Sequence, residues 1–154
     1  MKYERGSEWR RWDLHIHTPE TKKNDNYEGQ TTLDKWNKFY QDLLAYSSST
    51  DTTKKVSVLG ITDYYSIDNF RKVVSDNTIK DKFDLILPNI EMRITPVSSE
   101  SPINIHFICN PDIVPQLDTK LFSQLVYEHS NGIPYHATNE DFIKLGKLQN
   151  NDMN

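Results

Sequence analysis

His15 and His17 stand two residues apart in the stretch Trp12-Asp13-Leu14-His15-Ile16-His17-Thr18-Pro19. In a strand, side chains alternate between faces, so both imidazoles would leave the same side. They would then be close enough to share or bridge a divalent cation. Nitrogen and oxygen donors without a nearby thiol suit Zn²⁺, Mn²⁺ or Fe²⁺. The plainer reading is an alternating strand with two polar side chains on its wet face.

Three later residues weigh against the plainer reading. Asp63 follows the β-branched run Val56-Ser57-Val58-Leu59-Gly60-Ile61-Thr62. It could ligate a metal, orient a ligating histidine, or cap the helix that starts near Ile67. Glu91 closes Asp84-Leu85-Ile86-Leu87-Pro88-Asn89-Ile90, where a carboxylate can bridge two cations. His106 lies within Ile103-Asn104-Ile105-His106-Phe107-Ile108-Cys109; alone it reads as a packed strand histidine. If four strands deliver these residues near their carboxyl ends in a parallel βα fold, His15, His17, Asp63, Glu91 and His106 converge on one face. Ions held there would bind phosphate oxygens, acidify a bound water and stabilise charge in an in-line displacement.

The elements that must position these residues follow from hydrophobic spacing. Residues 12–17, 56–62, 84–91 and 103–109 read as strands, with Pro88 hinting at an irregularity in the third. Leu33, Trp36, Phe39, Tyr40, Leu43 and Leu44 recur at helical spacing, with Thr31 or Thr32 as cap. Ile67, Phe70, Val73 and Val74 mark a second helix. Leu117, Leu121, Phe122, Leu125 and Val126 mark a third, continuing to His129 and stopped at Asn131-Gly132, while His136 reads as a turn residue. Thr138 and Asp141 resemble a capping box for a last helix. The fold class expected is α/β with parallel βα units. One domain over 1–154 is expected, with a polar tail at 149–154.

Composition narrows the function classes. Eighteen basic against 22 acidic residues leave a net charge of −4, which argues against a stand-alone DNA-binding module. Arg5, Arg10 and Arg11 read as a solvated face. No stretch approaches the roughly 20 apolar residues that span a membrane, and the N-terminus lacks the apolar core of a secretory signal. Cys109 is the single cysteine; it excludes an intrachain disulfide, fits a cytoplasmic location, and reads as a core residue rather than a nucleophile.

Taken together, these motifs resemble those of the PHP (polymerase and histidinol phosphatase) domain. Trp12-Asp13-Leu14-His15-Ile16-His17-Thr18-Pro19 is similar to its first motif, Leu59-Gly60-Ile61-Thr62-Asp63 to its second, Asn89-Ile90-Glu91 to its third and Asn104-Ile105-His106-Phe107 to its next histidine. Gly6-Ser7-Glu8-Trp9-Arg10-Arg11-Trp12 and Thr62-Asp63-Tyr64-Tyr65-Ser66-Ile67 are similar to TrlF-type proteins, in which such a domain precedes an ATPase. The resemblance covers about residues 7–148. It implies a distorted (β/α)7 barrel of which this chain is an N-terminal portion, with up to three metals held by His15, His17, Glu91 and His106. Asp63 is the catalytic candidate. Zn, Mn or Fe is the implied cofactor, and a phosphate ester, nucleic acid among the candidates, is the implied substrate. The implied partner is a C-terminal ATPase region.

The chain departs from the family pattern at Tyr64, where the second motif has histidine, and it contains no Asp-x-His after His106. Phenol keeps its proton to about pH 10 and ligates these metals poorly. A degenerate module with a structural or regulatory role is therefore the alternative to a phosphoesterase, and an amidohydrolase-like barrel is a third reading. No Gly-x-x-x-x-Gly-Lys-Ser/Thr loop is present, so nucleotide binding is not expected within these residues.

Overall fold

A computed structural model describes residues 9–21, 23, 25–51, 54–94, 101–130 and 132–152. The chain divides into two compact units, 1–111 and 112–154. The candidate residues all lie in the first.

That unit is a mixed α/β layer built on a four-stranded sheet in the order β1-β2-β3-β4. The strands are β1 (Arg11–His17), β2 (Val56–Tyr64), β3 (Leu85–Ile94) and β4 (Ile103–Ile108). β1 and β3 flank β2 in parallel. All nine residues of β2 are buried, which fits the β-branched and leucine content of an interior strand. Between β1 and β2 runs α1 (Thr32–Ser48), and between β2 and β3 runs α2 (Asp68–Ser75).

Sequence spacing anticipates both helices. Of the two threonines, Thr31 is the cap of α1: its hydroxyl accepts from the Asp34 N–H, while the Asp34 carboxylate accepts from the Thr31 N–H at 2.9 Å. Trp36, Phe39 and Leu43 form the buried face of α1. Phe39 meets Trp36 and Tyr27 edge-on, with ring centroids 5.4 and 5.5 Å away, a favourable quadrupole arrangement. Phe70 and Val73 form the buried face of α2. The Lys72 ammonium lies 3.8 Å from the centre of the Trp36 ring, and Glu20 accepts from both Trp36 Nε1 and Lys72. This shared cluster joins α1 to α2.

Three expectations for this unit are corrected. β4 runs antiparallel to β3, so the sheet is not parallel throughout. Residues 95–102 are too few for the crossover of a dozen or more residues that a parallel return requires. Pro88 causes no irregularity: it pairs with Ile61 in unbroken β2–β3 register, and its carbonyl accepts from the Cys109 N–H. Cys109 follows β4 and is half-buried, not a strand core residue; burial still raises its thiol pKa.

The register instead shifts twice between β1 and β2, once between Arg11 and Trp12 and once between Asp13 and Ile16. Asp13 pairs with Leu59 and Ile16 with Ile61, so Leu14 and His15 together oppose the single residue Gly60. Such a bulge reorients the side chains beyond it. A Cβ at residue 60 would sit 2.3 Å from the Leu14 carbonyl oxygen, so only glycine allows the approach.

Of the basic trio, Arg10 pairs with Asp84 at 2.8 Å rather than lying free in solvent, Arg11 is exposed, and Arg5 lies outside the described residues.

The second unit differs more from its expectation. The helical run begins with α3 (Val114–Leu117) and a π-helical turn (Asp118–Phe122), but it does not reach His129. Val126–Glu128 is instead a strand, β5, paired antiparallel with β6 (Pro134–His136). His136 thus lies in a strand, not a turn, and Gly132, at φ +74°, belongs to the intervening hairpin connection. α4 spans Asn139–Asp152, so residues 149–152 are helical rather than a tail; 153 and 154 lie outside the described residues. Thr138 caps α4 by accepting from the Asp141 N–H at 3.3 Å, but the Asp141 carboxylate turns to the His136 N–H at 2.8 Å. The capping box is therefore half formed.

Among the described residues, no helix is long and apolar enough to cross a membrane.

Candidate metal centre

Strand geometry brings three of the sequence candidates together. At and just after the bulge, β1 presents His15 and His17 on one face, and β3 presents Glu91. The His15 and His17 Nε2 atoms are 3.1 Å apart, and Glu91 Oε2 lies 3.5 Å from the first and 3.4 Å from the second. Ligand atoms about 2.0–2.1 Å from a tetrahedral ion are separated by about 3.3–3.4 Å along each edge. The triangle therefore has the dimensions of one face of a metal tetrahedron.

Its electrostatics point the same way. The Glu91 side chain is 1% exposed, and its Oε2 has no hydrogen-bond partner. A buried acceptor left without a partner is costly, and a cation at the triangle's centre would satisfy it. Burial, followed by the neighbouring His15, lowers the pKa of His17, although Glu91 and the Thr62 backbone act in the opposite direction. His17 Nδ1 is also without a hydrogen-bond partner. A lowered pKa keeps His17 neutral near pH 7, with a lone pair to donate. His15, Glu91 and His17 could hold a metal ion, two imidazole nitrogens and one carboxylate oxygen forming the donor set.

His106 stands beside this triangle rather than in it. Its ring packs edge-on against His15, with centroids 4.6 Å apart. The convergence expected from four parallel strand ends is achieved differently: in the antiparallel β3–β4 pair, Glu91 and His106 are direct cross-strand partners. The Glu91 main chain is held too, because Tyr65 donates its N–H to the Glu91 carbonyl at 3.1 Å. Tyr65 does so with φ at +50°, a strained value for a bulky side chain.

Asp63 has a different setting. Tyr64 stacks on the His17 ring at 5.6 Å with 14° between planes, so the adjacent Asp63 side chain leaves the opposite face of β2. There its Oδ1 accepts from the Thr18 hydroxyl at 2.9 Å and from the Asn69 amide at 3.3 Å. Asp63 does not cap α2, whose N-cap is Ile67 with no side-chain bond. It fixes the chain leaving His17 onto the start of α2. Burial raises its pKa to about 6, against the lowering effect of Thr18, Asn69 and Thr21.

Two neighbours of the site carry no role in the sequence reading. Asn89 is 2% exposed and bonds three groups around the triangle. Tyr64 occupies the stacking position on His17. Asn89 has a sequence signal, lying two residues before Glu91, whereas the pairing of Tyr64 with Glu91 appears only in the strand register. A hollow of about 560 Å³ opens beside His15 and His17, lined by Asp13, Tyr27, Asp42 and Tyr46 among others.

No family model matches the chain, and no curated protein or solved structure matches it.

Proposed function

We propose that the chain is part of a PHP-type, metal-dependent phosphoesterase, its sheet forming the first strands of a distorted (β/α)7 barrel. The observation that carries this reading is the buried Glu91 carboxylate, whose unpartnered oxygen faces two imidazole nitrogens at metal-ligand spacing. His15, His17 and Glu91 hold one cation in this reading, and His106, in contact with His15, extends the site toward a second. Bound ions supply Lewis acidity and a water of lowered pKa. The protein residues fix the geometry: Glu91 contributes the anionic ligand, and Tyr64 holds the His17 ring by stacking. The hollow beside the histidines receives the organic part of the ester. Its tyrosine rings and carboxylates suit an aromatic or hydroxylated group better than a second phosphate. In this reading an ATPase region works beside the domain, as in the TrlF-type proteins it resembles.

The test is metal content by elemental analysis combined with hydrolysis of p-nitrophenyl phosphate mono- and diesters and of matched amides. The expected result is stoichiometric metal, with ester turnover that a chelator abolishes and no amide turnover. Metal content near zero in the wild type overturns the reading. A second reading, a regulatory module that binds metal without catalysis, is favoured by Tyr64 standing where the family has a ligand histidine. Bound metal with no ester turnover would select it.

A further inference from the structure

We infer that Asn89 is a positioning residue for the metal centre, selecting the ligand atom of His106 and pinning the bulge that carries His15. The inference rests on the metal-centre reading above.

Asn89 Nδ2 lies 2.7 Å from the Leu14 carbonyl oxygen and 3.0 Å from Thr62 Oγ1. A carbonyl only accepts, so the amide nitrogen of Asn89, not its oxygen, must face Leu14. The amide oxygen is thereby directed at His106 Nδ1, 3.1 Å away. That oxygen is also acceptor only, so His106 Nδ1 must carry a proton and donate it. In the neutral ring the lone pair then resides on Nε2. One amide orientation, settled on β1, thus determines a tautomer on β4.

The same side chain secures the bulge. Leu14 and His15 are the two residues set against Gly60, and the Leu14 carbonyl is pressed to within 2.3 Å of where a Cβ on Gly60 would lie. The Asn89 amide captures this displaced carbonyl, and the Thr62 hydroxyl supports it more weakly at 3.5 Å. His15, next in the chain, takes its place from that anchor. Asn89 therefore holds the His106 ring directly and the position of His15 through the Leu14 carbonyl, while itself lying outside the His15–His17–Glu91 triangle.

The tautomer can be read directly in ¹⁵N-labelled apo protein by long-range ¹H–¹⁵N correlation at a pH where the imidazoles are neutral. His106 is expected as the Nδ1–H form. Titration with Zn²⁺ or Mn²⁺ then compares the wild type with Asn89→Ala and Asn89→Asp. Partners that orient metal ligands typically contribute 10–100-fold in affinity, so Asn89→Ala is expected to weaken binding by roughly that factor and to abolish the tautomer preference. Asn89→Asp keeps an oxygen for His106 but loses the donor to Leu14. It is expected to retain the Nδ1–H form and to bind about tenfold more weakly.

Should Asn89→Ala fail to fold, the wild-type tautomer and Asn89→Asp decide. A metal-binding wild type with His106 as the Nε2–H form overturns the inference alone, as does an Asn89→Ala protein that binds as tightly as wild type. A wild type with the Nδ1–H form that binds no metal overturns the metal-centre reading and the role of Asn89 in it.

Discussion

Glu91 and Asp63 are both buried acids at the same end of one sheet, on neighbouring strands, yet their surroundings have little in common. Asp63, 3% exposed, has Oδ1 met by a hydroxyl and a carboxamide and Oδ2 without a hydrogen-bond partner, and burial raises its pKa to about 6. Glu91, 1% exposed, faces two imidazole nitrogens, and Oε2 is left without a hydrogen-bond partner. Neutral donors fastened to one oxygen of a carboxylate make a joint in the fold. Lone-pair donors arranged around it make a receptor for a cation. The composition of the immediate neighbours separates the two roles, not the acid or its depth.

The largest expected effect tests the Glu91 side of this contrast. Glu91→Gln removes the anionic ligand, and metal affinity is expected to fall about a thousandfold, or about 4 kcal/mol; Asp63→Asn should leave stoichiometry unchanged. Isothermal titration of both variants checks this, and an equal loss in each would erase the distinction.

Next comes pH dependence. A carboxyl whose pKa is raised on folding binds more protons in the native state than in the unfolded one, so stability falls as pH rises between the two values. For Asp63 the window runs from about 4 to about 6, and the full swing is on the order of 3 kcal/mol. Denaturant titrations of chelated protein should show this slope, and Asp63→Asn should flatten it.

Two smaller changes sharpen the comparison. Gly60→Ala forces a Cβ onto the Leu14 carbonyl and is expected to cost about 2 kcal/mol as an overpacking strain, with metal binding weakened because His15 moves with the bulge. Thr18→Val removes one hydrogen bond from Asp63. Thermal unfolding should register a loss of about 1 kcal/mol, while metal affinity changes less than tenfold.

Much of the centre is legible in residue types because its first elements are local. His15-Ile16-His17 alternates as a strand must, the threonine pair Thr31-Thr32 announces the start of α1, and Glu91 sits at the end of an apolar run. What is not legible depends on pairing. The Leu14–His15 bulge exists only against Gly60, and the sequence offers just a glycine inside a strand, the usual trace of a close backbone approach. The roles of Asn89 and Asp63 depend on which face each occupies and what stands opposite. The β3–β4 hairpin was within reach, since residues 95–102 leave no room for a helical return. β5 was hidden because Leu117, Leu121, Phe122, Leu125 and Val126 keep helical spacing past the point where the helix ends.

The triangle joins residues 15 and 17 to residue 91, and this separation has a kinetic consequence. Its donors meet only after β1 and β3 have both docked on β2, late in assembly and after most of the loop-closure entropy has been lost. A cation then has no complete site to grip in the folding transition state. Its binding energy should appear almost entirely in a slower unfolding rate, with the refolding rate unchanged. Stopped-flow measurements with and without Zn²⁺ should move one arm of the chevron only, so the ion would act as a latch on the finished sheet rather than a template for building it.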